Sequence, residues 1–295
     1  MAPSAPSRCQ LWLGLTRPRT LFSGLSSVLV ALFYAGSLGA IEWVKALLLI
    51  LVAVSAQIAS NIANDLIDYK KGADTDERKG PLRPLSKGLL TEREVKQALY
   101  ISLAALLISG ISLIALSSWW LLFIGGFISI GIFAYSGGPY PLSYHGLGDV
   151  AVLVFFCWIP TLTSFYILRG TVSESTIWHL ATAIGLASVN ILVVNNYRDV
   201  EEDRKAGKQT LIVRMGKDFA PRLYLTLGLL SIGFLYPIFS FWGMLLLLPY
   251  VFLISHAHCS LQRAEGEELN KTLGETARNV FLLAILIGIM LLIRR

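Results

Sequence analysis

Two stretches of this chain combine carboxylates and amides at a spacing suited to holding a divalent cation. The first is Asn61-Ile-Ala-Asn64-Asp65-Leu-Ile-Asp68, continuing into Tyr69-Lys70-Lys71-Gly72-Ala73-Asp74. Asn64 and Asp68 are four apart, so a helix places them on one face, with Asn61 and Asp65 on overlapping turns. The second is Asn195-Asn196-Tyr197-Arg198-Asp199, running on to Asp203. There Asn195, Asp199 and Asp203 repeat the spacing of four. Carboxylate and amide oxygens are hard ligands that suit Mg²⁺ better than zinc or copper. Mg²⁺ takes one or two carboxylates and leaves positions for water and substrate phosphates. Each motif is therefore expected to hold one ion. A diphosphate would bridge them.

The elements that carry these motifs are apolar. The 295 residues are 55% hydrophobic and 15% charged, with a mean hydropathy of +0.63. That balance describes a polytopic membrane protein rather than a soluble domain. About nine runs are long enough for membrane spans, at Leu21–Leu38, Val44–Asp68, Val95–Leu116, Trp119–Tyr135, Asp149–Leu168, Thr176–Tyr197, Pro221–Phe241, Gly243–His258 and Thr276–Ile293. The fold expected is all-α, one transmembrane domain over residues 1–295 around a central cavity. Met1–Gln10 shows no small-residue cleavage pattern, so the first run is expected to be retained.

Loop charge orients the spans. Residues 70–96 carry Lys70, Lys71, Arg78, Lys79, Arg83, Lys87, Arg93 and Lys96; residues 198–222 carry a similar set, whereas the alternate loops carry almost none. By the positive-inside rule the rich loops and the N-terminus face the cytoplasm, across a cell inner membrane. Both acidic motifs then open on the cytoplasmic side. They recur four spans apart, the pattern of a duplicated unit, although the halves share no similarity outside them.

The net charge of +6 belongs to these loops, so it marks topology and an anionic substrate or lipid surface, and no nucleic-acid role is expected. Basic groups flanking the motifs, Arg78, Lys79, Arg83 and Lys208 among them, suit a polyphosphorylated substrate. If a diphosphate leaves an allylic carbon, metal ions and guanidinium groups stabilise the charge that grows on it, and apolar helices shield the cation from water. Three scattered cysteines form no C-x-x-C pair, and His256 and His258 have no companion ligand, so zinc and disulfide frameworks are set aside. Carboxylates used for ion-coupled transport are the alternative from another class, but transporter sites sit near the midplane rather than at span ends.

Asn64-Asp65-x-x-Asp68 and Asp199-x-x-x-Asp203 resemble the signature of the UbiA superfamily of intramembrane prenyltransferases. Thr16-Arg17-Pro18-Arg19-Thr20-Leu21 is similar to that family's opening segment. Ala134-Tyr135-Ser136-Gly137-Gly138-Pro139-Tyr140-Pro141 with Tyr144-His145-Gly146-Leu147-Gly148-Asp149, and Asp203-Arg204-x-x-Gly207-Lys208-x-Thr210-Leu211, look closest to the 1,4-dihydroxy-2-naphthoate polyprenyltransferases of menaquinone biosynthesis. The resemblance implies Mg²⁺-dependent transfer from a polyprenyl diphosphate to 1,4-dihydroxy-2-naphthoate with decarboxylation, giving a demethylmenaquinone. It implies diphosphate contacts from Arg17, Arg78, Lys79, Arg83, Arg198 and Lys208, and an acceptor cavity lined by Asn61, Tyr135, Tyr144 and Asn195. It also implies that Asn64 and Asp68 hold one Mg²⁺ and Asp199 and Asp203 the other. Asp65, Tyr140 and Asp149 are the catalytic candidates. Other acceptors (4-hydroxybenzoate, homogentisate) and a phytyl donor stay open, as do chain length, binding order and oligomeric state. Gly72 in the continuation of the first motif, where many relatives have Asp, is similar to the same subfamily. Two features depart from the family pattern. Arg83-Pro84-Leu85-Ser86-Lys87-Gly88 looks closer to the general superfamily loop. Tyr144 follows Tyr140 where many members have Lys.

Overall fold

The computed structural model describes residues 7–72 and 83–294, without the side chains at positions 19, 20 and 23. Every regular element among them is helical. Ser7 opens α1 (Arg8–Thr16) with a capping box to Gln10, an S-x-x-Q start signal. The spans follow: α2 (Pro18–Leu38), α3 (Trp43–Lys70), α4 (Glu92–Leu116), α5 (Leu121–Ala134), then α6 (Gly148–Ala151) continued by a π-helical stretch (Val152–Trp158) into α7 (Ile159–Arg169). After α8 (Ser175–Arg198) come the short α9 (Val200–Lys205) and α10 (Leu211–Met215), then α11 (Phe219–Gly233), α12 (Phe241–Leu245), α13 (Leu248–Arg263) and α14 (Leu269–Ile293). Among the described residues, five helical units are long and apolar enough to cross a membrane, and α5 and α11 are shorter apolar helices.

Of the nine expected spans, five correspond to these long units and three to the shorter apolar helices at Gly24–Leu38, Leu121–Ala134 and Phe219–Gly233, while the expected Gly243–His258 falls on α12 and α13, which reach neither standard. Three boundaries shift. The chain leaves the helix after Gly233 rather than at Phe241, and α13 starts at Leu248 rather than Gly243. Pro237 and Pro249 lie in this stretch, and proline lacks the N–H that a continuing helix needs. The last helix starts seven residues before the expected Thr276 and so gains Asn270. The N-terminal α1 was not expected at all.

The central helix is α8. Its small residues Ala181, Ala183, Gly185, Ala187 and Ser188 are buried, and small residues let membrane helices approach closely. At Gly185 an added Cβ would lie 2.5 Å from Leu153 Cδ1 and 3.1 Å from Cys157 Cβ, so the π-helical stretch packs directly on the α8 backbone. One apolar core joins α8 to α2, α11, α13 and α14, and two smaller ones join α3 to α1, α4, α5 and α7. The outward faces of α4 and α5 show Ile101, Ile108, Leu122 and Phe123, as expected for surfaces solvated by lipid. Trp43, Trp119, Trp178 and Trp242 are exposed. Chain direction places all four at the end of the bundle opposite the acidic motifs, the arrangement of an interfacial aromatic belt.

Candidate active site

The two acidic motifs meet across one cavity of about 510 Å³. The C-terminal turns of α3 supply Asn64 and Asp68 to its wall; Asn195, Asn196, Arg198, Asp199 and Asp203 line it from α8 and α9. Helical spacing alone accounts for the first pair. Asn64 Oδ1 and Asp68 Oδ1 are both buried without a hydrogen-bond partner. Two unpartnered oxygens one turn apart in a cavity wall are costly, and they are chemically suited to a hard cation. Among the described residues, no three His, Cys, Asp or Glu side chains converge on a point. An ion here would complete its shell with amide, water and phosphate oxygens, as Mg²⁺ does.

The second motif is not one helix. The α-helix ends at Arg198, Asp199 takes φ −96° and ψ 12°, and α9 restarts at Val200. Backbone bonds from Asp199 N to Asn195 O (2.9 Å) and from Asp203 N to Asp199 O (2.8 Å) bridge the break. The spacing of four therefore survives, and all three side chains reach the cavity.

Each acid has a basic neighbour. Arg198 donates from Nε to Asp199 Oδ1 (2.6 Å) and from Nη2 to Asp199 Oδ2 (2.7 Å); it also reaches Asn195 (2.9 Å) and Asn270 (2.7 Å). Lys208 Nζ lies 3.4 Å from Asp203. Arg83 Nη1 lies 3.1 Å from Asp68 Oδ2, and its Nε lies 3.2 Å from Asp65 Oδ1. Arg17 also pairs with Asp65. Arg17 joins α1 to α2 with φ 48°, the one non-glycine residue at positive φ among the described residues. Its guanidinium is thus aimed by a left-handed backbone that a side chain adopts at a cost.

Of the catalytic candidates, only Asp149 lines the cavity. It starts the helix after the loop, and no ion pair is formed by it among the described residues. Asp65 is buried between Arg17 and Arg83, outside the cavity wall. Tyr140 is 56% exposed, stacks on His145 with centroids 3.6 Å apart and is not part of the cavity wall. Asn61 is likewise not in the wall. It receives Gln57 Nε2 (3.3 Å) and donates to Thr16 O (3.0 Å), tying α3 to the end of α1. Tyr135 and Asn195 do line the cavity. Tyr144 stands outside its lining, with the ammoniums of Lys71 and Lys208 4.6 Å and 5.3 Å from its ring centroid. Arg78 and Lys79 lie outside the described residues.

The sequence reading missed Asn270 and the contribution of α1, whose Gln10 and Gly14 border the cavity. Asn270 was excluded by starting the last span too late, and Ser7-x-x-Gln10 was the available signal for α1.

A second, apolar cavity of about 140 Å³ lies deeper. Ser60 of its wall is one turn from Asn64 on α3, and Gly131 is one turn from Tyr135. Leu113, Leu121, Phe155 and Ile167 also line it.

Comparison with known proteins agrees with this architecture. The model of the UbiA prenyltransferase family matches residues 24–292. A relative from Escherichia coli (strain K12), 1,4-dihydroxy-2-naphthoate octaprenyltransferase, is 36% identical over 97% of this chain and 96% of its own length. The solved structure of a UbiA homolog from Aeropyrum pernix K1 superposes with a TM-score of 0.68 at 15% identity, covering 94% of this chain and 98% of that one. A UbiA homolog from Archaeoglobus fulgidus, solved with DMAPP and Mg²⁺, gives a TM-score of 0.64 at 18% identity, over 95% of this chain and 98% of that one.

Proposed function

This chain belongs to the UbiA prenyltransferase family, and from that premise we propose that it transfers a polyprenyl group from its diphosphate to 1,4-dihydroxy-2-naphthoate. Diphosphate and CO₂ leave, and the product is the quinol form of a demethylmenaquinone. The observation that carries this reading is the single cavity in which two acidic motifs and their basic partners face each other above an apolar chamber. The acceptor follows from the relatives named for that naphthoate. Their names make an octaprenyl donor the first to try.

Asn64 and Asp68 would hold one Mg²⁺, Asp199 and Asp203 another. Bound there, the ions would supply positive charge to the diphosphate oxygens as the allylic C–O bond breaks. Arg198 and Lys208, both in the wall, add charge-assisted donors to the same oxygens. The apolar chamber receives the head end of the chain and keeps water from the allylic carbon. A chamber of about 140 Å³ leaves the rest of a long polyprenyl tail to the bilayer. Asp149 would take the proton of an acceptor hydroxyl as the ring carbon is alkylated and return it to that oxygen as CO₂ leaves, and Tyr135 is also part of the wall. The loop charges orient this mouth toward the cytoplasm, with the whole chain acting as one domain.

An acceptor competition tests this. Purified protein in lipid receives octaprenyl diphosphate, Mg²⁺ and equal amounts of 1,4-dihydroxy-2-naphthoate and 4-hydroxybenzoate, and products are read by mass. A prenylated naphthoquinol with CO₂ release is the expected result. A prenylated benzoate overturns the acceptor assignment and keeps the metal chemistry.

A further inference from the structure

Lys71 follows the first acidic motif and Lys208 follows the second, 137 residues later. Both ammoniums converge on one ring, that of Tyr144, at 4.6 Å and 5.3 Å from its centroid. Distances under about 6 Å are in cation–π range. The convergence is held by backbone. Tyr144 ends the 3₁₀ turn Leu142–Tyr144. Its N–H donates to Pro141 O (3.0 Å), and its carbonyl accepts from Gln209 N–H (2.9 Å), which sets the register of the Lys208 segment against the loop. Lys71 Nζ donates to Ser136 O (2.6 Å); Ser136 and Lys208 both line the cavity, and Lys71 stands behind that wall.

Two like charges at one ring repel each other, so this cluster is not self-sufficient. A ring offers each ammonium a face without neutralising it. Asp203, the nearby carboxylate, is itself a candidate metal ligand. An anion with several negative oxygens in the adjacent cavity would offset both charges.

We propose that Tyr144 is a positioning residue that holds the ammoniums of Lys71 and Lys208 at the cavity mouth, presenting one lysine from each half of the protein to the substrate's diphosphate. The inference rests on the prenyl-diphosphate reading above, and makes Lys71 a diphosphate-binding residue. Tyr144 acts through the lysines and does not touch the reacting atoms.

Binding of inorganic diphosphate in the presence of Mg²⁺, measured by calorimetry on the full-length protein in lipid, tests this apart from turnover. Tyr144→Leu is expected to weaken diphosphate binding and raise the donor KM about tenfold. The acceptor KM and kcat stay within about twofold. Tyr144→Phe restores binding, because the ring and not the hydroxyl holds the ammoniums. Lys71→Ala weakens binding similarly, and in the Tyr144→Leu background it adds much less, the coupling expected of groups in contact. Unchanged diphosphate affinity in a folded Tyr144→Leu protein overturns the proposal. So does a shift in acceptor KM alone, which would make the ring a platform for the aromatic substrate, or full additivity of the two substitutions. Wild-type protein that binds diphosphate but makes no prenylated naphthoate defeats the function assigned above and leaves this test readable.

Discussion

Arg198 and Asp199 are adjacent in sequence, yet the guanidinium of one grips the carboxylate of the other through two hydrogen bonds of 2.6 Å and 2.7 Å. Neighbouring side chains on a regular helix diverge by about 100°. The pairing coincides with the break that ends α8 and starts α9, and Asn270 on the last helix braces the same guanidinium. At this helix break a buried arginine and a metal-ligand candidate share one cavity wall.

Arg198→Lys removes the planar fork while keeping the charge. Activity is expected to fall about 100-fold, with the protein still inserted and monodisperse. Near-normal kcat/KM in this variant would show that charge alone suffices and that the fork has no catalytic consequence.

The unpartnered oxygens of Asn64 and Asp68 predict a metal dependence. Asp68→Ala and Asp199→Ala should both abolish turnover in folded protein. Asn64→Ala should raise the Mg²⁺ concentration for half-maximal activity about tenfold or more, and Asn64→Asp should recover part of it. Wild-type Mg²⁺ dependence in Asn64→Ala removes that side chain from the ligand set.

Chelation should stop catalysis without unfolding the protein. Each motif carboxylate has a basic neighbour, Arg83 for Asp68, Arg198 for Asp199 and Lys208 for Asp203, so each keeps a counter-charge when metal leaves. Thermal unfolding with and without EDTA measures this. A drop of more than about 10 °C would mean that the ions contribute several kcal/mol to folding.

Arg17 separates stability from function. Glycine accepts φ 48° without a Cβ penalty, so Arg17→Gly removes a strain of about 1 kcal/mol while deleting a guanidinium from Asp65. Thermal stability is expected to change little, because Arg83 still faces Asp65. The donor KM should rise. Unchanged donor KM would confine Arg17 to a role at the junction of α1 and α2.

Asp149→Asn keeps the shape of the cavity wall and removes the only catalytic candidate found there. A loss of about 100-fold in kcat, in the range of general-base removal, with donor affinity retained, is the expected outcome. Full activity would leave proton removal to solvent or to the substrate itself.

Composition, span positions and loop charge were legible in the chain, because a bilayer imposes length and polarity on every helix that crosses it. The two acidic motifs were legible as cavity-lining faces for a local reason: residues four apart share a helix face, and the bonds across the break at Asp199 preserve that spacing. What the sequence alone left open depends on contacts between residues far apart in the chain. Asp65 looked like a catalytic group, but it stands one residue of helical rotation from Asn64 and meets Arg17 and Arg83 outside the cavity wall. Tyr140 and Tyr144 looked like substrate contacts, but the packing of their loop against Gln209 and Arg214 turns one ring outward and places the other beneath two lysines. Asn270 joined the site only because the last helix folds back beside Arg198. Periodicity reports which way a side chain points from its own helix. Which partner it meets is decided by how the helices assemble, and only the tertiary structure carries that information.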